Sequence, residues 1–253
     1  MTKQCLNCGH HVNSKYCPQC GQSTSVGRIN WKSFTAEFIN TLTHAEKSIV
    51  GTTWQLIKNP GKVLDEYFAG KRKKYQSPIS FFLVWITVSI LIDKAVISRS
   101  GFHPVYLRGL TFSNPESVRI FITHGEWLYI LAFPVSALLL YLIAGKPLYT
   151  YIECLVIVMY TFSVTYVFFT LCYLIGGMLL SLNVLHWKFY LFQIIISVGY
   201  SIWVCFTFFR RKKIKFIVLR LILYMTINAV VILRFLEFLS NWWAKMEAYP
   251  ATP

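Results

Sequence analysis

The chain has 253 residues, of which 55% are hydrophobic and only 14% are charged. Soluble globular domains carry about 25% charged residues, so the composition excludes an ordinary soluble protein and predicts a chain that lies mostly in lipid. The formal net charge of +15 would suggest nucleic acid binding in a soluble protein. Here the basic residues cluster beside apolar segments, so we interpret them as orientation signals and contacts with anionic lipid headgroups, and we expect no nucleic acid partner.

The first segment contains two copies of one cysteine motif. Two residues separate Cys5 from Cys8 before a glycine, and two separate Cys17 from Cys20 before another glycine. Such turns direct two thiolates at one point, so the pair predicts a small Cys₄ ribbon that binds one structural Zn²⁺. Disulfides or a redox pair are the alternatives, and a cytoplasmic location disfavours both. Because four cysteines fill the metal's coordination shell, we expect the ribbon to contact a protein partner rather than to catalyse a reaction.

The next segment predicts short amphipathic helices, because apolar residues recur at spacings of three and four. An Asn-Pro-Gly break at Asn59 begins the last of these helices, with Asn59 as N-cap and Pro60 in the first turn. The helices either lie on the inner leaflet, with their apolar stripes in the interface, or pack against the membrane domain as an ordinary core. The stripes are Trp31, Phe34, Phe38 and Leu42, then Val50, Trp54 and Ile57, then Val63, Leu64, Tyr67 and Phe68.

A basic run directly precedes the first apolar span. It consists of Lys71, Arg72, Lys73 and Lys74, and Tyr75 follows. Basic residues at this position fix membrane topology, and they also attract anionic headgroups. We expect Tyr75 to lie in the interface, with its ring at the acyl boundary and its hydroxyl in water. A second run with the same two interpretations lies further along the chain and consists of Arg210, Arg211, Lys212 and Lys213.

Five segments are apolar for about the 20 residues that a helix needs to cross a bilayer. The third is longer than required, so it is either strongly tilted or broken near Gly176 and Gly177. The first span begins near Pro78, which predicts that no cleaved signal peptide precedes it. The predicted spans are Pro78–Ile97, Trp127–Ala144, Ile152–Leu182, Trp187–Phe209 and Phe216–Leu239.

Several polar side chains accompany these spans. Arg234 and Glu237 are three residues apart on the last span and are expected to pair. Cys154, Cys172 and Cys205 stand singly in apolar surroundings and are expected to be small buried hydrophobes. The loops and span ends on the predicted outer side carry a speculative external site, in which histidines and a carboxylate would bind a catalytic metal or act as acid and base. Its members are His103, His124, Glu126 and His186.

The distribution of Lys and Arg predicts the orientation of the chain. Twelve of these residues flank the spans on one side and four on the other. The positive-inside rule then places the N-terminus in the cytoplasm and the C-terminus outside, which requires an odd number of spans. The predicted order is residues 1–24 as a zinc ribbon, 25–77 as a cytoplasmic amphipathic helical region, 78–239 as a five-span transmembrane domain and 240–253 as an external tail.

The Cys₄ ribbon, the Asn-Pro-Gly helix and the Gly-Lys-Arg run that enters the first span at Pro78 together resemble a known family. It is an uncharacterised family of multi-span bacterial membrane proteins, mainly from Bacteroidota, with an N-terminal zinc ribbon. The resemblance covers roughly residues 1–95 and implies a bacterial inner-membrane location, with no function attached. The five-span plan is also similar in architecture to the Yip1-type membrane fold.

The predicted fold is an all-α membrane protein with about five transmembrane helices, a small ribbon and amphipathic interfacial helices. Its leading function is non-enzymatic assembly, scaffolding or regulation, with the ribbon as contact module and self-association left open. The alternatives are a transporter or channel-like handler of lipid or small solutes and, third, a metal-dependent enzyme that uses the external histidines. A cavity between the spans would favour transport, and a filled bundle core would favour the scaffold.

Overall fold

A computed structural model describes residues 3–31, 33–35, 49–100, 115–175, 187–209 and 216–248. Two short strands, β1 at Lys3–Gln4 and β2 at His11–Val12, pair in the antiparallel sense within the N-terminal ribbon. Helices make up most of the remaining described chain. They are α1 at Ile49–Lys58, α2 at Pro60–Phe68, α3 at Pro78–Ser100, α4 at Pro115–Leu140 followed by a π-helical turn at Tyr141–Gly145, α5 at Tyr151–Tyr173, α6 at Trp187–Phe209 and α7 at Ile217–Ala248.

The length and composition of the helices identify candidate membrane spans. Within the described residues, three helices are long and apolar enough to cross a bilayer, in α5, α6 and α7. Shorter apolar stretches occur at Pro78–Ile92 in α3 and at Ile130–Gly145 in α4 and its π-helical turn. The prediction of a mostly helical chain is therefore confirmed, and the three candidate spans agree with a membrane protein, whereas five spans remain a prediction.

Helix bounds agree with the predicted spans where an apolar segment ends abruptly. The bounds of α6 are those predicted, and α3 begins at Pro78 as predicted. Helix α4 begins at Pro115, twelve residues before the predicted start of the second span at Trp127. The last helix continues past Leu239 to Ala248. Both helices extend into polar sequence, because a helix end is set by its capping and packing, whereas the apolar count marks only the part suited to lipid.

Helix α5 lies at the centre of the bundle. Of its apolar stretch 72% is buried, against 33% for that of α6 and 11% for that of α7. Helix α3 runs parallel to α5, because the Phe81 ring contacts Tyr160 and the Ser89 hydroxyl lies 2.5 Å from that of Thr170. The other long helices alternate in direction, so that Pro78, Gly145, Tyr151, Phe209 and Ile217 lie at one end of the bundle, which we call the ribbon end.

Helices α1 and α2 form a hairpin that fits between α3 and α6 at the ribbon end. The Trp85 indole N–H of α3 donates to Thr53 Oγ1 at 3.1 Å. On the other side, the Tyr200 hydroxyl of α6 donates to the Leu56 carbonyl at 3.2 Å. Gly61 in α2 lies so close to α6 that a β-carbon there would be 2.7 Å from the Thr207 carbonyl oxygen. The hairpin is therefore an integral part of the helical bundle.

The three predicted apolar stripes differ in where they lie. Val63, Leu64 and Tyr67 of α2 are buried, so the third stripe packs in the core as one alternative predicted. The second stripe does not, because Val50 and Trp54 of α1 are exposed. In the first stripe Trp31 is exposed and Phe34 is buried, while positions 38 and 42 lie outside the described residues.

Candidate metal centre

Two similar knuckles position the four cysteines of the ribbon. In each, the first cysteine's carbonyl accepts a bond from the glycine four residues on, at 2.9 Å for Gly9 and 2.8 Å for Gly21. Both glycines have positive φ, of 77° and 67°, which favours glycine over residues with a side chain. This backbone turns each pair of thiols toward the same point, as the repeated motif predicted.

The sulfur positions fit one tetrahedral metal ion. The Sγ atoms of Cys5 and Cys20 are 3.5 Å apart, those of Cys8 and Cys17 are 3.6 Å apart, and all four lie within 4.8 Å of one another. An ion bonded at about 2.3 Å to four sulfurs in a tetrahedron would space them about 3.8 Å apart. With four thiolates around it, such an ion would have no coordination position open to a substrate.

Gln22 joins the second knuckle to the segment that connects α2 to α3, residues 70–77, which we call the elbow. Its backbone carbonyl accepts from the Cys17 N–H at 2.8 Å, which closes the knuckle. Its buried side-chain amide donates to the Gly70 carbonyl at 2.8 Å and accepts from the Lys73 N–H at 3.2 Å. One residue therefore takes part both in the second cysteine knuckle and in docking.

Apolar and cationic contacts strengthen this docking. A β-carbon on Gly70, whose φ is +100°, would lie 2.8 Å from Leu6 Cδ1 and 3.4 Å from Val26 Cγ1. The Arg72 guanidinium donates to the Gly27 carbonyl at 2.7 Å. The first knuckle and the segment after the ribbon thus both pack on the elbow.

Arg28 lies in the segment after the ribbon and binds this segment to the central helix, α5. Its Nε and Nη2 donate to the two carboxylate oxygens of Glu153 at 2.9 Å and 2.7 Å, and Nη2 also donates to the Leu148 carbonyl at 2.8 Å. Glu153 belongs to the capping box of α5, since its carboxylate accepts from the Thr150 N–H while Thr150 Oγ1 accepts from the Glu153 N–H. The pair therefore fixes the ribbon's connection on the first turn of the central helix.

Glu66 in α2 organises the basic run of the elbow. Its carboxylate accepts from Lys74 Nζ and from the Tyr75 hydroxyl, both at 2.6 Å, and Lys71 Nζ lies 3.4 Å away. The hydrogen bonds from Lys74 and Tyr75 lower the pKa of Glu66 from 4.5 to about 2. Burial and the bond to Glu66 raise the pKa of Tyr75 above its usual range. The carboxylate is thus held in its charged form and the phenol in its neutral form.

The predicted position of Tyr75 is wrong. Its ring is fully buried and its hydroxyl donates to Glu66 instead of facing water. The elbow turns the phenol inward to the Glu66 carboxylate, which lies nine residues earlier in the sequence. The roles of Lys71, Arg72, Lys73 and Lys74 as topology anchors or headgroup contacts remain predictions.

An open cleft of about 450 Å³ lies between the docked ribbon and the bundle. Its walls include Leu6 and Val26 on one side and Phe68 and Leu148 on the other. The charged groups in its wall, Arg28 and Glu153, bind one another. We therefore describe the cleft as part of the docking interface and assign no ligand to it.

One comparison with known proteins matches part of this arrangement. Residues 46–90 match a family model described as "Protein of unknown function (DUF3667)". No curated protein and no solved structure matches the chain significantly. The described part of the matched segment comprises the α1–α2 hairpin, the elbow and the first half of α3. The match thus covers the surface on which the ribbon docks, and it supports part of the resemblance drawn from the sequence motifs.

The speculative external site stays a prediction. His103 and His186 lie outside the described residues, as does the second basic run from Arg210 to Lys213. His124 and Glu126 belong to α4, and the positions of their side chains are not described.

Gln22, Arg28 and Glu66 were missed by the sequence analysis. The spacing of Thr150 and Glu153 is that of a capping box, so the sequence did contain a signal for the cap. Nothing local indicates the partner of Arg28, which is 125 residues away. Gln22 binds backbone groups of the elbow, and Glu66 binds the buried hydroxyl of Tyr75. A residue pattern shows neither of these contacts.

Proposed function

We propose that this is a non-enzymatic membrane protein in which a zinc ribbon controls the conformation of the elbow before the first span. The observation that carries the proposal is the double role of Gln22, whose backbone closes a metal-binding knuckle while its side chain holds the elbow. Metal occupancy and elbow conformation are then thermodynamically linked. The role of such a protein is in assembly, scaffolding or regulation.

Zinc is the metal that best suits the four cysteines. Four thiolates in a tetrahedron favour Zn²⁺ or an iron–sulfur centre, and a single ion fits the close sulfur spacing better than a cluster does. Residues 3–24 bury few apolar side chains apart from Cys5, Val12 and Cys17. The folding free energy of the ribbon would therefore come mainly from the metal.

The packing of the bundle supports a scaffold over a transporter. Val156 and Val164 on α5 are fully buried, as are Phe81 on α3 and Phe208 on α6. Within the described residues, these side chains fill the centre of the ribbon half of the bundle. A filled core was the arrangement expected for a scaffold.

The orientation in the proposal follows the basic residues. We place the ribbon end in the cytoplasm of a bacterial inner membrane, with the C-terminus outside and anionic lipid beside the basic elbow. The outer surface of the ribbon, which includes the exposed Tyr16, would then be available to a cytoplasmic protein partner.

Zinc analysis combined with hydrogen exchange tests the proposal. Purified protein is expected to contain one zinc per chain and Cys17→Ser substantially less. Removing zinc with a chelator should speed amide exchange in residues 70–77. Gln22→Ala should speed exchange there even with zinc bound, because the knuckle remains but the clamp is lost.

Gln19→Ala is the matched control, since Gln19 is an exposed glutamine in the same knuckle. It should leave both the zinc content and the elbow exchange unchanged. Equal zinc in the wild type and Cys17→Ser would reject the metal site. The coupling between zinc and the elbow would be rejected if zinc loading were normal and neither the chelator nor Gln22→Ala changed amide exchange in the elbow.

A further inference from the structure

Helix α1 buries two threonines beside Leu56, while two of its large apolar residues are exposed. Thr52 and Thr53 are buried against the bundle, whereas Val50 is 74% exposed and Trp54 64% exposed. A helix on the surface of a soluble protein has the opposite arrangement, with its apolar stripe facing the core. The outward face of α1 therefore suits a medium that is itself apolar.

The hydroxyl groups of both buried threonines accept hydrogen bonds from neighbouring segments. Thr52 Oγ1 accepts from the Gln76 N–H of the elbow at 3.1 Å, and Thr53 Oγ1 accepts from the Trp85 indole at 3.1 Å. Small hydroxyl residues that hydrogen-bond between helices are typical of packing within a membrane, where no water competes for these groups. These contacts fix α1 in one rotation, with Val50 and Trp54 outward.

Helix α1 contacts α6, which has an exposed apolar surface of its own. Tyr200 of α6 contacts the end of α1, and the two turns of α6 beyond it expose Ile202, Trp203 and Phe206. Helix α6 is one of the helices apolar enough to span a bilayer, and in a bilayer its exposed apolar residues would face acyl chains. The same stripe of α1 ends at the exposed Lys58, whose long side chain suits a position beside headgroups.

We propose that the Val50–Trp54 face of α1 is a lipid-binding surface that contacts the acyl chains of phospholipids in the leaflet at the ribbon end. Trp54 lies at the interfacial level and Lys58 reaches the phosphates. This surface contains no residue of the metal centre, and it goes beyond the function proposed above by assigning a partner to the α1–α2 hairpin.

Site-specific photo-crosslinking tests this surface in the full-length, zinc-loaded protein. The variant Trp54→p-benzoylphenylalanine is reconstituted in vesicles of phosphatidylcholine and phosphatidylglycerol and irradiated, and adducts are identified by mass spectrometry. Tyr16→p-benzoylphenylalanine is the matched control, because Tyr16 is a similarly exposed aromatic residue, at 57%, on the ribbon. We expect phospholipid adducts at position 54 to exceed those at position 16 at least tenfold.

Two results would overturn the proposal. Phospholipid adducts at position 54 no more abundant than at position 16 would place the α1 face in water. A predominant crosslink to a second protein chain would make the face a protein interface instead. Zinc content and elbow exchange are measured on the same samples, so that a misfolded variant is recognised and replaced by Val50→p-benzoylphenylalanine.

Discussion

Gly61 lets the backbone of α2 lie close to that of α6, and Gly61→Ala should weaken this contact. A β-carbon at this position would lie 2.7 Å from the Thr207 carbonyl oxygen and 2.8 Å from its carbon, both of which are backbone atoms of α6. Backbone atoms within a packed helix cannot move aside as the end of a flexible side chain can. The substitution therefore forces α2 away from α6.

Two opposing effects determine how much Gly61→Ala changes the free energy of unfolding. Overpacking a close contact costs about 1–3 kcal/mol, whereas alanine is favoured over glycine in a helix by about 1 kcal/mol. The net expectation is a loss of up to about 2 kcal/mol in the free energy of unfolding. Gly199 in α6 is the matched control, because a β-carbon there meets nothing within 4 Å. Gly199→Ala should leave stability unchanged or raise it by up to about 1 kcal/mol.

Unfolding of both variants in mixed micelles, followed by tryptophan fluorescence, measures the difference. We expect Gly61→Ala to be less stable than Gly199→Ala by about 2 kcal/mol, which is the cost of the clash, because the helix gain is common to both variants. Equal stability of the two variants would refute the close approach of α2 to α6. It would also remove our reason for the glycine of the Asn-Pro-Gly motif.

Other predictions address the electrostatic contacts and the orientation. Arg28→Ala should lower the free energy of unfolding by about 1–2 kcal/mol. This is less than the loss of a fully buried ion pair would cost, because Arg28 is 59% exposed. The variant should also be cleaved faster by proteases in the segment after the ribbon. Arg28→Lys should recover little of this stability, because lysine cannot pair with both carboxylate oxygens of Glu153. Since folding lowers the pKa of Glu66, its stabilisation is complete above about pH 4.5 and is lost as the pH falls toward 2, so the stability difference between the wild type and Glu66→Gln should shrink over that interval. Alkaline phosphatase fused after Ala248 should be active and fused after Lys213 inactive, and the reverse pattern would invert the topology.

Local chemistry made much of the fold predictable. The cysteine spacing predicted the knuckles, Pro78 predicted the start of α3, and the spacing of Arg234 and Glu237 predicted their pairing, observed at 2.9 Å. Asn59 precedes α2 as expected and Pro60 is in its first turn, although the Asn59 side chain makes no capping hydrogen bond. In each case the responsible atoms are close in sequence, so a short pattern contains the necessary information.

Long-range contacts were not predictable in this way. The sequence contained the Thr52–Thr53 pair and the Val50–Trp54 stripe, but which face of α1 turns inward depends on Gln76 and Trp85. The same holds for Tyr75, whose interfacial composition suggested lipid until Glu66 was seen beside it. Amphipathic periodicity defines two faces of a helix without saying which of them meets protein.

The separation of the ribbon's partners along the chain has a consequence for biosynthesis. The ribbon and its cysteines are translated before the segments on which the ribbon docks, and Gly70 follows Gln22 by 48 residues. Arg28 must wait for Glu153, 125 residues further on, which at about 5–20 residues per second is a delay of about 6–25 s. A nascent chain would thus acquire its metal and seat the ribbon on the elbow well before the central helix enters the membrane. The Arg28–Glu153 bond can then form only after the central helix has packed in the bundle. It would therefore be one of the last contacts to form as the molecule folds.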